Sequence, residues 1–263
     1  MPQSRCLRRS LGKILALALL IPVVSAHVAA WHKGMYCLNG TTPGVEDQNT
    51  NDIVNPLFEC DEFPPAEGDF LELHAGRSFV VELAVNRAFT TLSYDGANTG
   101  IFGDGLDHPG LGYTDEGKSA EGCIGEPNIH TQNETMAAGT VFAISYASDI
   151  KQVTPENLVV FTVLYNTPWK RVAEYQVPEL PACPEGGCHC VWGWVANGCG
   201  EPNMYMEPFR CKVVGHTGSR AVGPAVPPVW CEDDTNHCVK GPKQVKSPTL
   251  NLTLVASLPD PFL

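Results

Sequence analysis

A histidine stands at the point where a secretory leader would end. Residues 1–26 begin with basic side chains, continue as an apolar run, and finish on the small residues Val24-Ser25-Ala26 that a signal peptidase reads. This leader is too short, and wrongly flanked, to span a membrane. Cleavage after Ala26 would make His27 the first residue of the secreted chain, with a free α-amine beside its imidazole.

An amino-terminal histidine can bind one metal ion through two of its own atoms. The α-amine has an ordinary pKa of about 7.7–8.0, so a metal can compete for its lone pair near neutral pH. The amine and Nδ1 then close a chelate ring, and a second imidazole completes a planar set of three nitrogens. Planar nitrogen donors favour Cu(II), by geometry and by the Irving–Williams order. His27 is therefore predicted to be a copper ligand.

The second imidazole must come from one of the seven other histidines. Three of these lie on ordinary surface or beside the C-terminal region: His74, His216 and His237. In an extended strand His32 would face away from His27, and His189 lies between two cysteines in a segment that favours structure. His108 and His130 remain, both in a long loop region. The nearby Cys123 favours His130, because a metal-binding imidazole needs bracing, but His108 stays open.

An axial ligand for such a copper ion could come from Tyr205. This residue ends the segment Gly200-Glu-Pro-Asn-Met-Tyr, and Asn203, two positions earlier, would share its strand face. The alternative is a tyrosine packed at a core edge with its hydroxyl in solvent, which is common for this residue type.

Four other aromatic residues lie close to these candidates in the sequence. Trp192 and Trp194 share a strand face and are interpreted as core packing rather than as a sugar-binding platform. Trp31 and Tyr36 follow the amino terminus closely and are predicted to be exposed aromatics near the site.

The elements that must position these residues are short strands. Runs of β-branched and aromatic residues, bounded by Gly, Asn, Asp or Pro, predict strands at 70–74, 78–85, 90–94, 141–146, 158–165, 172–177 and 191–195. Helical periodicity is weak throughout. The pattern predicts an all-β fold, an antiparallel β-sandwich with an immunoglobulin-like or fibronectin-like core. Long loops at 38–57, 95–138 and 179–190 are candidates for function.

The cysteines indicate several disulfides. Ten remain once the leader removes Cys6, an even number that allows up to five bridges in an oxidising compartment. They are Cys37, Cys60, Cys123, Cys183, Cys188, Cys190, Cys199, Cys211, Cys231 and Cys238. The dense run from Cys183 to Cys190 fits no common zinc spacing. We therefore expect disulfides and no zinc.

Charge and motifs exclude several functions. The leader holds four of the 17 basic residues and none of the 29 acidic ones, so the secreted chain has 13 basic residues and a formal net charge of −16. Such a surface repels phosphate backbones and anionic lipid, so neither nucleic acid nor a membrane is an expected partner. A neutral polysaccharide is compatible with it. The sequence contains neither Gly-x-Ser-x-Gly nor His-Glu-x-x-His.

Several sequence blocks carry a family resemblance across most of residues 27–244. They are His27-Val-Ala-Ala-Trp-His-Lys-Gly-Met-Tyr-Cys-Leu-Asn-Gly, Cys60-Asp-Glu-Phe-Pro-Pro-Ala-Glu-Gly-Asp-Phe-Leu-Glu-Leu, His130-Thr-Gln-Asn, Met136-Ala-Ala-Gly-Thr, Gly198-Cys-Gly-Glu-Pro-Asn-Met-Tyr205 and Pro228-Val-Trp-Cys-Glu-Asp-Asp234. Together they resemble the fungal lytic polysaccharide monooxygenases of auxiliary activity family fourteen.

The resemblance implies a copper-dependent enzyme. One copper ion would be held in a histidine brace by His27, through its amine and Nδ1, and by His130, with Tyr205 as the axial ligand. O2 or H2O2 would be the cosubstrate and an external donor would supply electrons. The implied substrate is insoluble polysaccharide, xylan that coats cellulose, and the implied state is a monomer. The alternative is a non-catalytic secreted copper-binding protein with the same brace.

The chain is expected to divide into three parts. Residues 1–26 are the secretory signal peptide, 27–244 the copper monooxygenase-like β-sandwich domain, and 245–263 an atypical tail that we expect to be disordered. Sequons for glycans begin at Asn39, Asn133 and Asn251 and agree with an extracellular location.

Overall fold

Eight strands form two sheets in the part of the chain that the structure describes. The computed structural model describes residues 28–38, 60–115, 117–119, 122–196, 199, 204–229, 231 and 234–245. The strands are β1 (Ala29–Trp31), β2 (Leu71–His74), β3 (Ser78–Ala84), β4 (Thr140–Ser145), β5 (Val159–Leu164), β6 (Val172–Gln176), β7 (Cys188–Val195) and β8 (Met204–Val214). The smaller sheet has the order β1-β3-β6, and the larger has the order β2-β8-β7-β4-β5.

The two sheets form the predicted β-sandwich. Neighbouring strands are antiparallel in both sheets except for β2 and β8, which pair in parallel. The parallel pair joins Leu71 with Cys211 and His74 with Val214 at one edge of the larger sheet. The all-β fold class is therefore confirmed, with one parallel pairing that the sequence did not predict.

The core between the sheets is aromatic. Phe79 on β3 and Tyr175 on β6 face Phe142 on β4, with the Phe79 and Phe142 ring centroids 4.9 Å apart and those of Phe142 and Tyr175 4.8 Å apart. Trp192 donates its indole N–H to the Tyr175 hydroxyl at 3.1 Å, so the polar tips of both rings are satisfied inside the core. This contact couples the two sheets across the middle of the molecule.

A second apolar layer covers the outer face of the larger sheet. Every residue of β4 is buried, because alternate side chains face the core and this outer layer. Val141, Ala143 and Val191 pack there with Val245. The packed structure thus extends to Val245, the first residue of the segment 245–263 that was predicted to be a disordered tail; Val245 is buried and packed. Residues 246–263 lie outside the described residues.

Most of the predicted strands are present, but one is wrong. Residues 90–94 form no strand; short 3-10 turns occupy Arg87–Phe89 and Tyr94–Gly96. The Thr90 hydroxyl donates to the Arg87 carbonyl at 2.7 Å, and the Thr91 amide donates to Glu82 at 2.9 Å. Side chains and local turns therefore supply the hydrogen bonds of this backbone, so it does not pair with a neighbouring strand.

Two strands were not predicted over their full length. At β8 the sequence indicated a strand only around Asn203 and Tyr205, because Glu207 and Pro208 follow, and a proline and a charge inside a run argue against a central strand. β1 has three residues, which are too few for a recognisable pattern.

The ten cysteines from Cys37 onwards all form disulfides, which confirms the prediction of several disulfides. The pairs are Cys37–Cys60, Cys123–Cys199, Cys183–Cys188, Cys190–Cys211 and Cys231–Cys238. None of the described helices has the length and apolar character needed to cross a membrane.

Gly34 is predicted to tolerate no side chain. It ends the turn after β1, and a Cβ there would lie 2.3 Å from the Leu71 nitrogen and 2.9 Å from the Arg210 carbonyl oxygen. Gly34→Ala should therefore force the backbones of β2 and β8 apart and cost about 3 kcal/mol of stability in urea unfolding. Gly76→Ala is the matched control, since its φ is +72° but no atom lies within 4 Å; it should cost about 1 kcal/mol. Equal losses would contradict this packing.

Candidate metal centre

His130 lies in a braced turn before β4. Its amide donates to the Ile124 carbonyl at 3.2 Å, and the next residue, Thr131, forms a bridge with Ile124. The Cys123–Cys199 disulfide ties this turn to the connection between β7 and β8. His130 has a φ of +44°, a left-handed conformation that is uncommon for a residue with a Cβ and is often found at functional sites.

A small separate core supports the loop that carries this turn. Five buried side chains form it: Phe102, Leu111, Ile124, Ile129 and Trp169. Two of them lie inside the turn itself, and Ile129 directly precedes His130. The loop is therefore packed rather than loose, as a metal-binding imidazole requires.

The imidazole of His130 is held by an amide and a tryptophan. Its Nε2 lies 2.8 Å from Oδ1 of the buried Asn128, and its ring centroid lies 5.9 Å from that of Trp194. The amide oxygen only accepts, so Nε2 donates in this contact, and the hydrogen bond fixes the orientation of the ring. An imidazole with one nitrogen fixed by an acceptor is the arrangement found in metal ligands. The donor chemistry of His130 thus fits a transition metal such as copper.

Strand register places Tyr205 opposite the tryptophan that contacts this imidazole. It pairs with Trp194 across the β7–β8 ladder, and Trp194 is the residue whose ring contacts His130. The strand position of Tyr205 therefore lies at the same end of the sandwich as His130. Asn203, predicted to share its face, lies outside the described residues.

The described chain begins at the same end. The Ala30 amide donates to Glu207 on β8, and the Gly34 carbonyl accepts from the Arg210 amide. From Ala30 to Gly34 the chain therefore advances in the same direction as β8, and Val28 lies at the β8 end that carries Tyr205. His27 lies outside the described residues, but its peptide bond joins it to Val28.

A buried carboxyl lies beneath this end of the sandwich. Glu207 is 0% exposed, and its Oε2 accepts the Ala30 amide at 2.6 Å. Burial raises the pKa of Glu207 to about 8, and the hydrogen bond from Ala30 opposes that rise. Its Oε1 has no hydrogen-bond partner among the described residues.

Three of the other histidines make contacts that serve the fold or the surface. His189 is buried, with Nδ1 2.8 Å from the Ala147 carbonyl and Nε2 2.9 Å from the Tyr36 hydroxyl, so both nitrogens serve the fold. His108 pairs with Asp104 at 2.7 Å and lies edge-on to Phe102. The exposed His74 lies near Glu72 at the end of β2. The structural interpretation of His189 and His74 is confirmed.

Two of the aromatic predictions are wrong and two are confirmed. Trp31 and Tyr36 are 2% and 4% exposed, not surface residues. The Trp31 indole donates to the Ala84 carbonyl at 2.8 Å and the Tyr36 hydroxyl reaches His189, so both polar tips are satisfied within the interior. Trp192 and Trp194 are buried in the core as predicted.

No group of three His, Cys, Asp or Glu side chains is placed to hold a metal within the described ranges. A metal bound by His130 would need its other donors from outside those ranges or from another residue type. The two remaining predicted ligands meet this condition, since His27 lies outside and Tyr205 is a phenol.

Residues 10–246 match the family model for lytic polysaccharide monooxygenase AA14. The chain belongs to this family. It is 36% identical over 230 residues to an AA14 family lytic polysaccharide monooxygenase B of Talaromyces rugulosus, covering 79% of this chain and 78% of that one. It is 33% identical over 243 residues to the AA14 family lytic polysaccharide monooxygenase A of Trametes coccinea. It is 32% identical over 250 residues to the AA14 family lytic polysaccharide monooxygenase B of Pycnoporus cinnabarinus. Each alignment covers 87% of this chain.

Not all relatives are matched along their full length. The alignment spans 53% of the Trametes coccinea protein and 63% of the Pycnoporus cinnabarinus protein. Membership in the AA14 family therefore rests on the domain that the chain shares with these longer proteins.

The Cys123–Cys199 disulfide is predicted to stabilise the fold more than the shorter Cys231–Cys238 disulfide does. It closes a separation of 76 residues, so replacing both cysteines with serine should cost about 4 kcal/mol in urea unfolding. The same replacement at Cys231–Cys238, with a separation of 7, should cost about 2 kcal/mol. Equal stability losses in the two double variants would show that the first bridge does not brace the fold.

His32 is predicted to make the fold sensitive to acid. Burial, with a smaller contribution from the Lys33 charge, lowers the pKa of His32 from 6.5 to about 4. Between these values the unfolded chain binds the proton and the folded chain does not, so stability falls as the pH drops below 6.5. His32→Asn keeps an acceptor for the Gly34 amide.

This variant should lose less stability than the parent on acidification. Between pH 6.5 and about 5 the parent should lose about 1.5 kcal/mol more, measured by urea unfolding at each pH. Parallel pH curves for the two proteins would mean that His32 is not buried in its neutral form.

Proposed function

We propose that this protein, once its leader is removed after Ala26, is a secreted copper-dependent monooxygenase that cleaves plant cell-wall polysaccharide by oxidation. Xylan associated with cellulose is the proposed substrate. Membership in the AA14 family supports the reaction class. The observation that supports the site most is the braced imidazole of His130, which contacts Trp194 directly opposite Tyr205 in the β7–β8 ladder.

The residues that would hold the copper ion are His27, through its amine and Nδ1, His130 and Tyr205. The start of β1 supports this set, because Val28 lies at the end of the sandwich where His130 and Tyr205 are placed. Three nitrogens and a phenol suit Cu(II) better than zinc or magnesium.

Bound copper would supply the redox chemistry, accepting electrons from an external donor and using O2 or H2O2 as cosubstrate. The residues around the site would hold the ligand His130 in position. Asn128 holds one nitrogen of His130, Trp194 limits the tilt of the ring, and the disulfide from Cys123 holds the turn. Such support matters because a ligand displaced by about 0.5 Å already weakens a site of this kind.

The surface around the site suits a substrate too large to enter a pocket. Tyr165 follows β5 at this end and is half exposed, and Tyr113, in the same loop as His130, is 94% exposed. Aromatic rings that present an apolar face and a polar tip are well suited to sugar surfaces. The strongly negative chain does not oppose a neutral glycan.

The test compares two histidines in one loop. The copper-loaded protein, sequenced to begin at His27, is incubated with xylan-coated cellulose, a reductant and peroxide, and released oligosaccharides are analysed for oxidised ends. His130→Ala should lower product release at least about a hundredfold, since it removes a metal ligand. His108→Gln, in the same loop but paired with Asp104, is the matched control and should keep parental activity.

Three results would contradict the proposal. Activity that survives His130→Ala but not His108→Gln would move the ligand to His108. Oxidised products from cellulose alone, with xylan untouched, would show that xylan is not the substrate. A parent protein that binds copper but releases no oxidised product from any glycan would support a non-catalytic copper-binding protein.

A further inference from the structure

The outer edge of β1 is held by a side chain rather than by a strand. Among the described residues, β1 is the edge strand of the smaller sheet and pairs with β3 alone, from Ala29 opposite Ala84 to Trp31 opposite Glu82. The Ala30 amide does not take part in a second ladder. It donates to Oε2 of Glu207, which reaches across from the facing sheet.

This contact lies in a dry environment. Ala30 and Glu207 are both 0% exposed, so water does not compete for the Ala30 amide. Without Oε2 that amide would be buried and unpaired, which is costly for a backbone donor. The backbone hydrogen bonds that join this segment to β8 come later in the chain, where the Arg210 amide donates to the Gly34 carbonyl and the Tyr36 amide donates to the Pro208 carbonyl.

A buried carboxyl at this position of the core lowers the stability of the fold. An apolar side chain of similar volume would avoid the cost of burying an acid whose Oε1 has no partner among the described residues. The property that a leucine or methionine lacks is the ability to accept the Ala30 amide. The specific contribution of Glu207 is therefore its hydrogen bond with the Ala30 amide, which joins the two sheets.

The contact joins two of the segments that carry proposed ligands. Glu207 is two residues beyond Tyr205 on β8, about 7 Å along the strand, and Ala30 is three residues beyond His27. A shift of β1 along or away from β8 would also displace His27, because His27 lies only three residues before Ala30. Of the hydrogen bonds that hold the amino-terminal segment against β8, the one from Ala30 to Glu207 lies nearest in sequence to both His27 and Tyr205.

We propose that Glu207 is a positioning residue for the metal centre, which fixes the amino-terminal strand against β8 through the Ala30 amide. The effect on copper rests on the proposed function, whereas the contact between Glu207 and β1 does not. Glu207 touches neither substrate nor metal in this assignment. It acts through the backbone of β1.

The test uses three variants of the processed protein. Glu207→Gln keeps an oxygen that can accept the Ala30 amide, and Glu207→Leu removes it at similar size. Val213→Ala is the matched control, since Val213 is buried on the same strand but pairs with Leu73 at the far end of β8. If Glu207→Leu does not fold, Glu207→Met, which is longer and more adaptable, replaces it.

The first measurement is hydrogen–deuterium exchange of the β1 amides in the metal-free protein. Glu207→Leu should exchange at least tenfold faster than the parent in β1, whereas Glu207→Gln should stay within about threefold. Val213→Ala should leave β1 exchange near parental even if it lowers the melting temperature. Equal β1 exchange in Glu207→Leu and Val213→Ala would overturn the proposal without reference to copper.

The second measurement is copper affinity, determined by competition with a chelator. Glu207→Leu should bind Cu(II) about tenfold more weakly than the parent, the range seen when an outer residue that orients a ligand is removed. Glu207→Gln and Val213→Ala should bind as the parent does. Faster β1 exchange with unchanged copper affinity would make Glu207 a purely structural residue and overturn the positioning role.

The two measurements separate this inference from the proposed function. If the parent protein shows no tight copper binding, the proposed function fails and the positioning role fails with it, even if Glu207 holds β1. If the parent binds copper and Glu207→Leu matches Val213→Ala in both measurements, the proposed function stands and only the role of Glu207 is wrong.

Discussion

The ladder between β7 and β8 supports both halves of the candidate site. On β7, Trp194 contacts the ring of His130, and on β8 its register partner is Tyr205. Two positions further along β8, Glu207 accepts the amide of Ala30 and so holds the strand that follows His27. The loop imidazole and the amino-terminal strand are distant in sequence, but each is fixed to the same pair of strands. A shift of that pair would move both.

The molecule builds this end from buried polar contacts rather than from apolar packing alone. Asn128 orients His130, Glu207 binds β1, and the Trp192 indole is satisfied by Tyr175 deeper in the core. Each buried polar group costs stability unless it is paired, so each contact restricts the geometries that the fold can adopt. The disulfide from Cys123 adds a covalent restraint to the turn. A rigid end of the sandwich is what the proposed action on an insoluble polysaccharide would need.

The sequence predicted the sandwich, the disulfides and the bracing of His130, because alternating strands, an even cysteine count and nearby Cys123 are local signals. It did not reveal Glu207, since a single acid inside a strand looks like a solvent-facing residue until its partner is known. It misplaced Trp31 and Tyr36 because their burial depends on Ala84 and His189, which are distant in sequence. It failed at residues 90–94 because the side chain of Glu82 binds that backbone. The errors arise where a long-range contact decides the outcome.

The central claim is that His27 and His130 bind one copper ion together. The most direct test is Cu(II) electron paramagnetic resonance on protein whose amino terminus has been sequenced, beside a form with one alanine added before His27. Processed protein should show coupling to three nitrogens, and the added residue should abolish that pattern, because His27 would no longer supply both an amine and an imidazole. An identical three-nitrogen spectrum from the extended form would contradict the account.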